Sequence, residues 1–195
     1  MIEYSQATES DIDEIEVLYR KHLDNGAALR KRLDFVCRDP STLSCKAVDS
    51  ETGKLAGLVM YTPGISFSCC YPELVKEVED YTNDGVVYTG ESIFVDDSYR
   101  GQNIAHTIEE YSRGRMEDIQ KTLGKPLYAL HELWVYPNGK IPALRIVRDV
   151  FKIDHDLGII QGFYRDYFKN GFLCPVCGEN CQCSAQIVLS RIGGK

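Results

Sequence analysis

The chain has 195 residues, a length that suits one domain with a sizeable core. Hydrophobic residues make up 44% and charged residues 26%, the balance of an ordinary globular protein, and no apolar run is long enough to span a bilayer. The formal net charge of -7 disfavours a nucleic-acid binder, which needs a basic face, and suits a cationic partner such as an amine. The N-terminus lacks the basic and apolar regions of a secretory leader, so a cytoplasmic location is the expectation.

Residues 2–7 read as a strand. Thr8 stands before Glu9, Ser10 and Asp11, a T-x-x-D helix start, and Ile12, Ile15, Leu18 and Tyr19 recur behind it at helical spacing. Asn25 and Gly26 close this helix, and residues 27–37 form a second, basic one. Residues 43–48 and 55–61 make a hairpin around a turn that runs from Asp49 to Gly53. The stretch 63–85 is uneven, with one or two helical turns after Pro72. Residues 86–95 form a strand, and 103–123 a helix with Ile104, Ile108, Tyr111 and Ile119 on one face. A strand at 127–135 follows, then helical stretches at 142–151 and 161–169, and a last strand at 185–192. No repeat, low-complexity tract or linker interrupts the chain, so one domain over residues 1–195 is expected, a mixed sheet covered by helices.

The most informative segment runs from Glu91 to Ala105. An apolar strand (Ser92, Ile93, Phe94, Val95) enters an acidic turn, Arg100 and Gly101 follow, and a helix opens after Gln102 and Asn103. Such a turn aims unpaired helix N-terminal amides, with their partial positive charge, at whatever lies in front, and phosphate is the usual guest. The order strand, turn, Arg-Gly, helix resembles the coenzyme pyrophosphate loop of the GNAT N-acetyltransferase superfamily, whose pattern is Q/R-x-x-G-x-G/A. Arg100, Gly101 and Ala105 fit it. Asn103 stands where glycine is usual, and asparagine best tolerates glycine-like backbone angles.

The resemblance implies a central mixed, mostly antiparallel twisted sheet flanked by helices. It implies acetyl-CoA as co-substrate, held by Arg100, Gly101, Gln102, Asn103, Ile104 and Ala105, with oxyanion-holding amides at Phe94 and Val95 and with Asn138 near the pantetheine arm. It also implies transfer of acetyl to a primary amine, whether a small molecule or a protein amine, by direct attack. Glu91 occupies the family's E-x-x-F/Y-V position and would take the proton that a protonated amine must lose. It reads equally as a polar residue at the wet end of a strand. Tyr167 fits the family's Y-x-x-x-G-F ending through Gly171 and Phe172 and would protonate the leaving thiolate, with Tyr164 its competitor one turn earlier. The family's tyrosine follows its asparagine by about two helical turns. Here the gap from Asn138 is far longer, so residues 139–160 look inserted. His131, in mid-strand, reads as structural.

Cys37, Cys45, Cys69 and Cys70 are scattered, but Cys174, Cys177, Cys181 and Cys183 crowd together. C-P-x-C-G is a zinc-knuckle half, and four thiolates complete a closed tetrahedral site whose role would be structural. An iron–sulfur centre or plain free thiols are the alternatives. The expected place of this knuckle is the tip of the final hairpin, between a strand entered at Gly171 and Phe172 and the last strand.

A non-catalytic acyl-CoA-binding or regulatory module, with the knuckle as a protein-contact surface, is the competing reading of the same pattern. Neither nucleic acid nor membrane is an expected partner. The amine acceptor is not readable, and a homodimer is one of the open oligomeric states.

Overall fold

The computed structural model describes residues 1–195 apart from 24, 25, 27, 28, 68, 69, 168–173, 179, 194 and 195, and apart from the side chains of 166 and 167. Its elements are β1 (Ile2–Gln6), α1 (Ile12–His22), α2 (Leu29–Arg38), β2 (Leu43–Asp49), β3 (Leu55–Pro63), α3 (Pro72–Thr82) and β4 (Val86–Val95). They continue with α4 (Ile104–Leu123), β5 (Leu127–Val135), α5 (Leu144–Phe151), β6 (His155–Ile160), α6 (Phe163–Tyr167) and β7 (Ser184–Ile192). The strands form one seven-stranded sheet in the order β1-β2-β3-β4-β5-β7-β6. Its pairings are antiparallel except β4 with β5, which run parallel.

Local chemistry sets these elements. The Thr8 peptide N–H donates to the Asp11 carboxylate at 2.7 Å, which starts the turn that leads into α1. Ile12, Ile15, Leu18 and Tyr19 are the buried positions of α1, the stripe that the spacing predicts. α3 is longer than the sequence suggests. Pro72 opens it at the first helical position, and Asn83, at φ 44°, closes it in the left-handed region.

Helices cover both faces of the sheet. On one face α4 and α5 bury Ile104, Ile108, Val147 and Phe151 against Ala129, Leu133 and Val188. On the other, α1 and α2 pack over β3 and Phe94. Beside them, α3, α6 and the cysteine segment cover Val87, Leu130 and Ile187.

Two expectations need correction. Residues 139–160 are not an insertion, for they form α5 and the edge strand β6. The strand that pairs with β7 in the last hairpin is therefore β6, ahead of α6 and not after Phe172 (residues 171–173 lie outside the described residues). β6 pairs from His155 with Leu189 to Ile160 with Ala185. The register shifts between Asp156 and Gly158, and Gly158 sits at φ 88°. A short edge strand broken by a glycine bulge has little alternation to read. The cysteine segment still lies between the last two strands, in the connection that also carries α6.

Candidate functional site

The site forms where β4 and β5 part. Their parallel pairing runs from Val86 with Leu127 to Gly90 with His131, and among the described residues the two strands do not pair beyond it. At the same level β4 shifts register against β3: Met60 faces Ser92 and Tyr61 faces Gly90, which leaves Glu91 as the extra, bulged residue. A bulge bends its strand and re-aims the side chain at the kink. The opened gap holds two adjoining cavities.

The larger cavity, about 720 Å³, lies along the end of β4 and the start of α4. Phe94, Val95, Arg100, Gly101, Asn103, Ile104 and Ala105, seven of the residues singled out in the sequence, line it. Gly101 at φ 79° and Asn103 at φ 61° both take the left-handed conformation, so asparagine does meet the backbone demand usually left to glycine. The Asn103 side chain makes no cap hydrogen bond, so it leaves the first amides of α4 uncovered. Arg100 pairs with Asp97 at 2.8 Å but remains 64% exposed, which leaves the guanidinium reach toward the cavity. The basic rim extends to residues the sequence did not single out: His22, His106, Lys140 and Arg145, against Asp149 as the one acidic lining residue among the described residues.

The Asp96 N–H donates to the Ala56 carbonyl at 2.9 Å. Antiparallel alternation therefore turns the Phe94 amide toward β3 as well, and turns the amides of Ile93 and Val95 toward the gap. Of the two expected oxyanion amides, Val95 faces the cavity and Phe94 does not. Gln102 and Asn138 line neither cavity. The Asn138 carboxamide oxygen accepts from the Lys140 N–H at 3.0 Å, and this turn presents Tyr136 and Lys140 to the cavity instead.

The smaller cavity, about 210 Å³, adjoins the first through Ile93, Tyr136 and Ala143, which border both. Tyr19, Tyr61, Trp134, Tyr136 and Tyr164 supply aromatic walls. Glu91 lines it and accepts a hydrogen bond from the Thr62 hydroxyl at 2.7 Å. Glu132, one residue past the last β4–β5 pair, lines it as well and accepts from the Ser66 hydroxyl. Burial pushes the Glu132 carboxyl up to about 8; the Ser66 bond opposes this and the Glu91 charge adds to it. Three carboxyls therefore line one chamber, Glu91, Glu132 and Glu109 of α4, together with the Arg32 guanidinium.

Sequence reading missed Glu132. The available signal was its alternation: Leu130, Glu132 and Trp134 share one face of a core strand, where a carboxylate is out of place. Glu109 was also missed. It is buried in α4 and takes hydrogen bonds from Tyr61 at 2.8 Å and Ser112 at 3.0 Å, and burial pushes its carboxyl up to about 7. His131 is buried, and desolvation pushes it down to about 3, so it stays neutral, in keeping with a structural role.

Tyr167 is the last residue of α6, and its side chain lies outside the described residues. The helix that follows Asn138 is α5, which holds no tyrosine. Tyr164 lines the smaller cavity and donates to the Glu132 carbonyl at 3.2 Å.

The four sulfurs of Cys174, Cys177, Cys181 and Cys183 lie within 4.8 Å of one another. Cys177 and Cys183 are 3.4 Å apart at sulfur. The Val176 and Cys177 amides donate to the Cys174 sulfur at 3.4 and 3.3 Å. A tetrahedral ion with bonds of about 2.3 Å sets sulfurs about 3.8 Å apart, a value inside the range these sulfurs span, so small shifts in both directions close the site. The donor set fits a metal.

No family model and no curated protein matches the chain. Solved structures do. Arabidopsis thaliana NAA60 in complex with acetyl-CoA matches with a TM-score of 0.65 at 16% identity, covering 100% of each chain. The Escherichia coli ribosomal-protein-S18-alanine N-acetyltransferase matches at 0.63 and 12%, over 100% of this chain and 96% of that one. A mosquito arylalkylamine N-acetyltransferase (like 5b) matches at 0.62 and 13%, over 98% and 100%. At such identities the likeness speaks for architecture, and the architecture is unambiguous: this chain has the GNAT fold, in which those N-acetyltransferases are built.

Proposed function

We propose that the protein is an acetyl-CoA-dependent N-acetyltransferase that acts on a primary amine. The observation that carries this reading is the junction of the two cavities. A cleft that ends at uncovered helix amides and a basic rim opens onto an aromatic chamber with three carboxyls against one guanidinium, Arg32. The first suits a diphosphate and the second an alkylammonium. Acetyl-CoA supplies the activated acyl group.

The chain's own residues do the rest. The amides of α4 and the Arg100 side chain anchor the phosphates. The Val95 or Ile93 amide faces the gap, where an oxyanion would need a donor. An amine that arrives as RNH₃⁺ settles between Glu91 and Glu132. Glu91 takes the proton, the free amine nitrogen forms the new C–N bond, and the C–S bond breaks. The thiolate then picks up a proton from a phenol, so the sum is amide, free thiol and one proton released. Tyr167 is the expected acid. Tyr136 competes with it, because it borders both cavities, where a thioester would lie. The four-cysteine site we assign to a structural Zn²⁺, since four thiolates leave no open position.

The test mixes protein, acetyl-CoA and an amine panel (phenylethylamine, spermidine, lysine, a free N-terminal peptide) and follows thiol release. Tight acetyl-CoA binding without turnover of any amine would return the protein to the acyl-CoA-binding module. Absence of acetyl-CoA binding removes both readings. Paired variants Tyr136→Phe and Tyr167→Phe identify the acid by whichever lowers kcat.

A further inference from the structure

We infer that the metal-loaded cysteine knuckle holds the wall of the amine chamber, so that metal governs acceptor affinity and leaves coenzyme affinity alone. This rests on the reading just proposed.

The connection can be traced bond by bond. Cys183, the last of the four thiols, offers its carbonyl to the Tyr164 N–H at 3.5 Å. Its neighbour Ser184 receives the Gly162 N–H at 3.2 Å and donates to the Gln161 side chain at 3.0 Å. The first turn of α6 is therefore tied to the chain that leaves the knuckle. From α6, the Tyr164 ring lies 5.0 Å from that of Trp134, and its hydroxyl reaches the Glu132 carbonyl. Phe163 stacks on Tyr71 at 4.8 Å, and the Tyr71 hydroxyl donates to the Phe163 carbonyl at 3.0 Å. Phe163 also meets Phe67, the residue after Ser66, whose hydroxyl holds the Glu132 carboxyl. Cys174, Cys181 and Cys183 share one apolar cluster with Phe163, Tyr164 and Trp134.

The chamber residues at the end of this chain of contacts are Glu132, Trp134 and Tyr164, and none of them lines the coenzyme cleft. Within the knuckle the Cys174–Gly178 pair is the one β-bridge among the described residues, and the other internal contacts run through the sulfurs themselves. A metal ties those sulfurs together. Loosening the thiols frees α6, and with it Tyr164 and the Glu132 backbone, while the Arg100 turn on the far side of the gap keeps its own contacts.

Trp134 is the single tryptophan of the chain, so it reports on this wall without interference. The experiment takes the full-length protein loaded with Zn²⁺, strips it with a strong chelator and restores it with Zn²⁺. Three quantities are followed: Trp134 emission, acetyl-CoA Kd by calorimetry, and kcat and KM for the best acceptor of the amine panel. The expected result on stripping is a change in Trp134 emission and an amine KM raised by about tenfold or more, with acetyl-CoA Kd within about twofold and full recovery on Zn²⁺. Tyr164→Phe, which keeps all four thiols, should raise the amine KM while zinc content stays at one per chain.

A protein that takes up no Zn²⁺ overturns the inference. So does an amine KM that ignores stripping, or a loss of coenzyme affinity in step with it, which would mean the metal merely holds the whole fold. If the loaded protein acetylates no amine, the proposed reaction fails separately. The coupling is then judged by Trp134, whose emission must still change on stripping while acetyl-CoA stays bound.

Discussion

The two cavities at the β4–β5 gap are built on opposite plans. The coenzyme cleft draws on main-chain amides and left-handed turns within one continuous stretch from Ile93 to His106, with a loose basic rim. The amine chamber draws on side chains from many separate elements, and each of its carboxyls accepts from a hydroxyl: Glu91 from Thr62, Glu109 from Tyr61 and Glu132 from Ser66. A backbone site depends on conformation and tolerates many side chains. A side-chain site depends on identity, protonation and the packing behind each group. Substitutions should therefore separate the two, with chemistry lost on one side and binding on the other.

The largest effect is expected at Glu91. Glu91→Gln keeps the Thr62 contact and the bulge but cannot take a proton, so kcat/KM should fall by about 10²–10⁴-fold. Acetyl-CoA Kd, measured by calorimetry, should move by less than about twofold, since Glu91 does not line the coenzyme cleft. A parallel loss of coenzyme affinity would dissolve the distinction.

Gly101→Val is the counterpart on the coenzyme side. The position sits at φ 79° with open space around an added Cβ, so the cost is conformational and not steric contact. A β-branched residue there is strained by about 1–3 kcal/mol, and the turn should relax away from its phosphate-facing shape. Acetyl-CoA affinity should fall by about tenfold or more, whereas the amine KM at saturating acetyl-CoA should hold.

The acid–base character of the chamber gives a pH signature. Glu132 ionises near 8 and then sets a second negative charge beside the ammonium that Glu91 deprotonates, so kcat/KM should climb as pH rises through about 8. In Glu132→Gln this limb should vanish, leaving only the titration of the amine itself. Stability follows the same group with the opposite sign. A carboxyl raised in the folded state contributes stability below its unfolded value, and that contribution is lost as pH rises through about 8. Thermal melts of the parent should therefore fall across that range, and those of Glu132→Gln should fall less.

The contrast also explains what could be read from the chain. The strand, Arg-Gly turn and helix from Glu91 to Ala105 are contiguous, and their proposed role lies in backbone geometry that glycine and asparagine announce. The Ile12, Ile15, Leu18 and Tyr19 stripe was legible for a similar reason, since its period is local. Glu132 gave no local sign beyond sharing a face with Leu130 and Trp134, because its partner Glu91 lies across a strand pairing that only folding creates. β6 escaped because Gly158 and a bulge break its alternation. The helix at 142–151 is legible and matches α5, but counting residues 139–160 as an insertion puts the tyrosine-bearing helix at 161–169, and the choice of Tyr167 rests on that placement. The thiols were legible by spacing, but their contacts with Trp134 and α6 were not.

The smallest effect is expected at Asn103, and it tests whether the coenzyme turn works through its backbone. Asn103 sits at φ 61° and ψ 15°, and its side chain caps nothing. Replacing it with glycine removes the left-handed penalty but adds freedom to the unfolded chain, so the two terms nearly cancel. Replacing it with alanine keeps the amide groups and pays the full penalty, about 1–2 kcal/mol. Chemical denaturation should thus place Asn103→Gly close to the parent and Asn103→Ala below it by that amount. Acetyl-CoA Kd should change by less than about threefold in the glycine variant, because every peptide N–H that faces the phosphates is still present. A large loss of coenzyme affinity in Asn103→Gly would show that the carboxamide itself contacts the coenzyme, and the cleft would then share the side-chain logic of the chamber beside it.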